Sequence, residues 1–267
     1  MHQKKLHLLT LIALFIIQYT VAQDTITIFY DKNWKEIKTI ENASFYRKFF
    51  KSDKIYVAND YYKNGNIQMS GTYVNKKGTL KEGFFKYFFE NGNLKSEGNY
   101  LKNEQNGKWK NYLENGTLDS EGEYLKGKKN GDWIWHSENG KICAKENYIK
   151  NKRINYKFFD EEGKEVDITS AEHLASFQDG DANNFTNWVL KNITYPLEAK
   201  GTHGTVEIEF YVNTLGKIED IKIVKSVNQF LDAEAIKVIN SSPTWNPAKE
   251  HNKYIKLFYY IPITFKY

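Results

Sequence analysis

The sequence predicts a mainly β chain with an α+β end. A stacked β-hairpin repeat module comes first, and a two-helix, three-stranded antiparallel domain follows it. Three observations carry this. Glycines and aromatic residues recur through the middle of the chain at a period of about 24 residues. All four prolines (Pro196, Pro243, Pro247, Pro262) fall in the last third. Residues 185–265 alternate helical and strand periodicity, each stretch bounded by its own turn residues. The boundaries are 1–22, 23–60 for an atypical first repeat or strand cap, 61–167 for the repeats, and 168–267 for the last domain.

The first segment has the form of a signal peptide. Lys4 and Lys5 precede a ten-residue apolar core at positions 8–17, and small residues lead to a cleavage point between Ala22 and Gln23. That core is short for a spanning helix, which needs about 20 residues. Cleavage and export to the periplasm or cell envelope is the first reading; a retained membrane anchor is the second. No Cys follows the apolar core, which excludes lipidation there. The single cysteine, Cys143, has no intrachain partner and reads as a small buried apolar residue.

The repeat is read from three marks. Turn glycines stand at Gly65, Gly92, Gly116, Gly140 and Gly163, four of them after Asn. Asn-Gly predicts type I′ hairpins, in which both residues adopt positive φ. A second glycine stands at Gly71, Gly98 and Gly122, with Glu146 in the fourth place, and Tyr73, Tyr100, Tyr124 and Tyr148 follow two residues later. The third mark is Gly83, Gly107 and Gly131, each two residues before Phe85, Trp109 or Trp133, with Tyr156 in the same column. Each unit is therefore two strands and two turns, with rings aligned on one face. The first unit is longer, which places a longer turn after Tyr73. FYDKNWKEI at 29–37 mirrors FFDEEGKEV at 158–166, so both flanks read as end units.

In the last domain, Phe185, Trp188 and Val189 form one helical face, which ends at Tyr195-Pro196. Gly204–Val212 alternates apolar and polar residues as a strand. Residues 213–216 turn, Ile218–Lys225 returns, and 231–239 form a second helix. Residues 254–266 read as one long last strand. Pro262 lacks an N–H for a ladder, so it belongs on an edge strand or at an irregularity. An exposed edge is a hazard unless it is blunted or used to take another strand.

Nothing points to catalysis, a cofactor or a metal. There is no G-x-S-x-G, H-E-x-x-H, CxxC or P-loop, and the six histidines lack ligand spacing. His136 reads as a ring of the stack and His203 as a solvent-exposed turn residue. Asp179 to Asn183 imitates the start of a calcium loop, but Asn184 and Leu190 stand where that loop needs Gly and Glu. Asp179 or Asp181 reads instead as a helix N-cap. The net charge of +5 is spread among 33 acids, with no basic stripe for nucleic acid.

Residues 61–167 resemble the MORN-variant repeats, also described as the YwqK-like antitoxin family, which implies a binding or spacing module. Residues 172–267 resemble the C-terminal domain of TonB. The resemblance is carried by FTNWVLKNITYP at 185–196, Gly204, Gly216, Leu231-Asp232, Trp245-x-Pro247 and the closing IPITF. It implies docking of the N-terminal box of a TonB-dependent outer-membrane receptor, or of another envelope protein, by strand addition. The implied contacts are Thr194, Tyr195 and Pro196, together with Tyr254, Lys256, Phe258, Tyr260 and Pro262 on the less apolar face of the last strand. An open edge also allows a homodimer.

Two features depart from a full energy transducer: the Pro-rich spacer is replaced by the repeat, and His7 lies beside lysines with no Ser before Ser44. Ten strands about 4.8 Å apart would reach only about 45 Å. Three readings follow. The chain is an exported TonB-like binding protein, a scaffold whose repeats recognise the partner, or a transducer bound to the membrane through an uncleaved N-terminal segment.

Overall fold

The computed structural model describes residues 24–178, 180 and 182–266. The expectations at Ala22, Gln23, Asp179 and Asp181 lie outside the described residues. Among the described residues, no helix is long and apolar enough to cross a membrane.

The repeat and both its flanks form one antiparallel sheet of 13 strands. Its strands are β1 (Thr25–Tyr30), β2 (Glu36–Ile37), β3 (Phe45–Ser52), β4 (Ile55–Tyr62), β5 (Ile67–Tyr73), β6 (Gly83–Phe88) and β7 (Leu94–Leu101). They continue as β8 (Glu104–Tyr112), β9 (Leu118–Leu125), β10 (Lys128–His136), β11 (Ile142–Ile149), β12 (Lys152–Phe159) and β13 (Glu165–Val166). Strands β3 to β13 lie in chain order, with the β1–β2 hairpin on the outside of β3. The mirrored motifs are the two ends: Phe29 pairs with Ile37 and Phe158 with Val166. Each end closes on a two-residue strand, which leaves little edge for another chain to pair with. Trp34 takes a φ of +60° where Gly163 has +81°, and its ring lies flat on Phe45 at 4.4 Å.

Close approach of rings to backbone explains the second glycine of each unit. Phe85 lies over Gly71, Trp109 over Gly98 and Trp133 over Gly122. A Cβ at these glycines would meet the ring at 2.2, 2.3 and 2.3 Å. Trp109 and Trp133 each donate their indole N–H to a carbonyl ten residues back, on Asn99 and Glu123. The tyrosines alternate with these rings edge-on, from Tyr73 through Phe85, Tyr100, Trp109 and Tyr124 to Trp133, at 4.9–6.1 Å. Such contacts add about 0.5–1.5 kcal/mol each beyond burial. Lys81 and Lys129 lay their ammonium groups over the same rings, and burial lowers both of their pKa values.

The turn chemistry differs from expectation. In the Asn-Gly turns only the glycine has positive φ, as at Gly65 (+90°) and Gly116 (+89°). Gly65 N donates to the Tyr62 carbonyl, and the ladder shifts register between Asp60 and Tyr61. These are three-residue loops: a type I turn followed by a glycine bulge. The asparagine serves through its side chain, since Asn64, Asn91, Asn115 and Asn139 each accept the amide two residues on. The two-residue positive-φ turns lie on the opposite rim, at Lys102-Asn103, Lys126-Gly127 and Lys150-Asn151. The longer first turn is present, held by Asn75, which accepts from Thr79 N and Leu80 N. Cys143 is 4% exposed, and burial pushes its thiol up to about 11.

The last domain has helices α1 (Ile168–Ala171), α2 (Ala182–Asn192) and α3 (Gln229–Asn240), and strands β14 (Gly204–Val212), β15 (Ile218–Lys225), β16 (Ala248–Glu250), β17 (Lys253–Ile255) and β18 (Leu257–Phe265). One sheet runs β15-β14-β18; β16 and β17 form a separate hairpin. Phe185, Val189, Leu231, Val238 and Ile239 bury against Val206, Ile208, Phe210, Ile261 and Ile263. Asn228 caps α3, accepting from Phe230 N and Leu231 N. Gly216, at φ +75°, sits against the Trp245 backbone: Trp245 N donates to its carbonyl at 2.8 Å, and a Cβ there would lie 2.0 Å from the Trp245 oxygen.

Candidate functional site

The last strand is shorter than the sequence pattern suggested. His251 and Asn252, with φ of +54° and +56°, turn 253–255 back onto β16, so the expected strand divides at Lys256. Strand β18 then pairs with β14 alone, over nine residues without a register shift. The other edge strand, β15, carries two shifts and a positive φ at Asp220. Among the described residues, β18 is therefore the regular edge of this sheet.

Pro262 fixes which groups face outward. It pairs with Glu207 inside an unbroken ladder, and it has no N–H to give to β14. Its position is thus one whose peptide groups point away from β14. By the two-residue period of an antiparallel pair, Phe258, Tyr260 and Thr264 do the same. Their side chains are also the exposed ones of β18, with Phe258 at 47% and Tyr260 at 49%. One lane of the edge therefore combines exposed rings with open backbone donors and acceptors, interrupted by one missing donor at Pro262.

Neighbouring side chains fix this face. Phe258 packs against Tyr211 at 5.6 Å. Lys256 reaches back across the Tyr211 ring at 4.4 Å to Asp220 and Glu219, which push its ammonium up to about 12. Hydrogen bonds from Tyr260 and Lys225 hold the Glu207 carboxyl below its usual range, and the same bond raises the Tyr260 hydroxyl.

The other expected contacts divide. Tyr254 lies on β17, opposite Lys249, and so does not belong to the edge strand. Tyr195 is half-buried and donates to the carbonyls of Ala199 and Thr202, and its ring lies 6.4 Å from Phe265. Pro196 opens the short helical turn Leu197–Ala199. Thr194 is exposed and gives its N–H to Glu234 at 3.0 Å. The 194–196 segment thus adjoins the far end of β18 and does not continue its outward-facing lane.

A second constellation was not expected. The β16–β17 hairpin inserts its tip against the repeat sheet. His251 stacks on Trp135 at 3.7 Å, and its Nδ1 lies 2.8 Å from Glu146. Glu146, 3% exposed, also accepts from Trp135 Nε1 (2.9 Å), Tyr148 Oη (2.5 Å) and Arg153 Nη1 (2.7 Å). Arg153 in turn grips Glu172. Around this core, Lys253 pairs with Asp119, Asn252 Nδ2 donates to the Phe159 carbonyl (2.6 Å), and Asn252 N donates to the Ala171 carbonyl. Glu146, Glu172 and His251 have the donor types of a metal site. Arg153 already supplies the positive charge between the two carboxylates, so the set fits an ion-pair lock better than a cation.

The signal was visible in the repeat, because Glu146 stands in the glycine column. Its cross-strand neighbour Tyr156 is exposed and lays no ring over it, so the space is open to a carboxylate.

Burial alone would raise the Glu146 pKa, but its hydrogen bonds and charge partners override this and hold it down at about 2. A carboxyl depressed in the folded state stabilises above its ordinary pKa of 4.5 and loses that contribution as pH falls toward about 2. Acid titration of the intact chain should therefore remove on the order of 3 kcal/mol between pH 5 and 2. Glu146→Gln should flatten that part of the curve.

The fold and its edge define a class: a β-hairpin repeat sheet locked to a small α+β domain that presents one regular open strand. Residues 191–267 match the family model described as Gram-negative bacterial TonB protein C-terminal, a match that begins within α2. Residues 58–75, 81–102, 105–126 and 129–150 match the MORN repeat variant. The two fall in the order that the motifs predict. The C-terminal domain is thus of the kind carried by TonB-like envelope proteins linked to TonB-dependent transport. No curated protein matches the chain.

Proposed function

We propose that this chain is an exported, non-catalytic binding protein of the periplasm. It docks an extended segment of a TonB-dependent outer-membrane receptor, or of another envelope protein, as an added strand on β18. The observation that carries this is the nine-residue unbroken register of β18, whose outer side holds the peptide groups of Phe258, Tyr260 and Thr264 beside two exposed rings. Main-chain hydrogen bonds would supply affinity, and Phe258 and Tyr260 would select side chains. The lock at Glu146 makes the repeat sheet a rigid partner of that domain rather than a flexible spacer.

Substitutions that add or remove one outward donor test the reading. Pro262→Ala restores an N–H on the open side and should tighten a receptor-box peptide by roughly threefold to tenfold, the worth of one hydrogen bond. Thr264→Pro removes one and should weaken it by a similar factor. Isothermal titration of the full chain gives both values. Equal affinities for the two variants would rule out pairing at this edge.

A further inference from the structure

We propose that the strand site on β18 continues into the cleft between the two modules, and that this cleft takes a basic and apolar segment following the partner's strand. The inference rests on the strand-addition reading and names what lies next to that strand. The cleft has a volume of about 870 Å³ and lies between the acidic-turn rim of the repeat sheet and the end of the C-terminal sheet where Val212 pairs with Leu257. Its domain wall is formed by the 214–215 turn and by Lys249 and residues 252–255, the last of which lead into β18. A strand adding antiparallel to β18, as β14 does, therefore delivers its following residues to the mouth of the cleft.

The lining sets the chemistry of those residues. Leu215, Tyr254 and Ile142 are exposed apolar groups on facing walls. The charged lining groups are Asp119, Glu138, Asp160 and Glu161 against Lys249 and Lys253, four acids to two bases. Lys253 is taken by Asp119, and Lys249 lies on the Tyr254 ring at 4.7 Å. Asp160 accepts the turn amides of Glu162 and Lys164. Glu138 and Glu161 are exposed and have no ion-pair partner among the described residues. The occupant that complements this is a short run of aliphatic residues alternating with Lys or Arg.

Three synthetic peptides test it on the full chain. All share a nine-residue Thr/Val strand. One ends there, one continues with two leucines alternating with two arginines, and one carries glutamates in place of the arginines. Fluorescence anisotropy gives affinity, and amide exchange reports on Phe258, Tyr260 and Thr264. The arginine tail should tighten binding about fivefold or more over the bare strand and lose that gain in 0.5 M salt, since exposed pairs are screened. The double variant Glu138→Lys/Glu161→Lys should erase the gain without changing the affinity of the bare strand. Equal affinity for all three peptides, or a gain that survives the double variant, overturns the inference while strand addition stands. Absence of protection on β18 with every peptide overturns strand addition and the inference together.

Discussion

Glu146→Ala is expected to uncouple the two modules. The side chain is the common acceptor for Trp135, Tyr148 and Arg153 and the partner of His251, all at 2.5–2.9 Å. Removing it leaves the half-buried Arg153 guanidinium paired with Glu172 alone, and it leaves the Trp135 and Tyr148 donors without an acceptor. Each buried donor left without an acceptor costs about 1–3 kcal/mol, because it keeps its desolvation and loses its bond. The loss falls on the repeat strands β10–β12, which carry Trp135, Tyr148 and Arg153, and on the docking of the β16–β17 hairpin through His251. Amides at 248–255 should exchange faster, and thermal unfolding should separate into two transitions. Glu146→Gly restores the residue the other units carry, so it should release the hairpin while the repeat sheet keeps its own melting behaviour. A single transition with an unchanged midpoint in both variants would contradict the lock.

Gly122→Ala is expected to be among the most damaging single-methyl changes in the repeat, with Gly71→Ala and Gly98→Ala. The added carbon would sit 2.3 Å from the Trp133 ring, which is 1% exposed and flanked edge-on by Tyr124. The ring must leave its place, and with it the indole bond to Glu123. Overpacking of this kind together with displacement of a buried Trp should cost about 3 kcal/mol or more. Gly116→Ala is the contrasting case. That glycine has open space around it but a φ of +89°, so only backbone strain of roughly 1 kcal/mol applies. The double variant Gly122→Ala/Trp133→Ala should lose less than the sum of its parts, because the second change removes the clash created by the first. Chemical denaturation of these three variants and of Trp133→Ala alone measures this order.

Much of the fold can be read from the chain because the repeat states its geometry several times over. Three columns of residues define strands, turns and ring positions, and β14 and β15 fall at the expected limits. The turn type was not readable from Asn-Gly alone, since a glycine bulge uses the same pair. There Asn contributes a side-chain acceptor instead of a positive φ. The division of the last strand at Lys256 was hidden for a related reason. His251-Asn252 is weak turn chemistry on paper, and it adopts positive φ because the repeat sheet holds both side chains. The lock at Glu146 is a contact between residues 105 positions apart, which no local pattern encodes. Its only local trace is a carboxylate where three glycines precede it.

The open edge of β18 is the central claim, and amide exchange of the full chain with and without a bound receptor-box peptide tests it most directly. The amides of Leu257, Tyr259, Ile261 and Ile263 already face β14 and should be protected in both states. Those of Phe258, Tyr260 and Thr264 should exchange freely alone and become protected in the complex, at alternate residues with the gap at Pro262. Protection confined to residues elsewhere, with these three amides unchanged on binding, would contradict it.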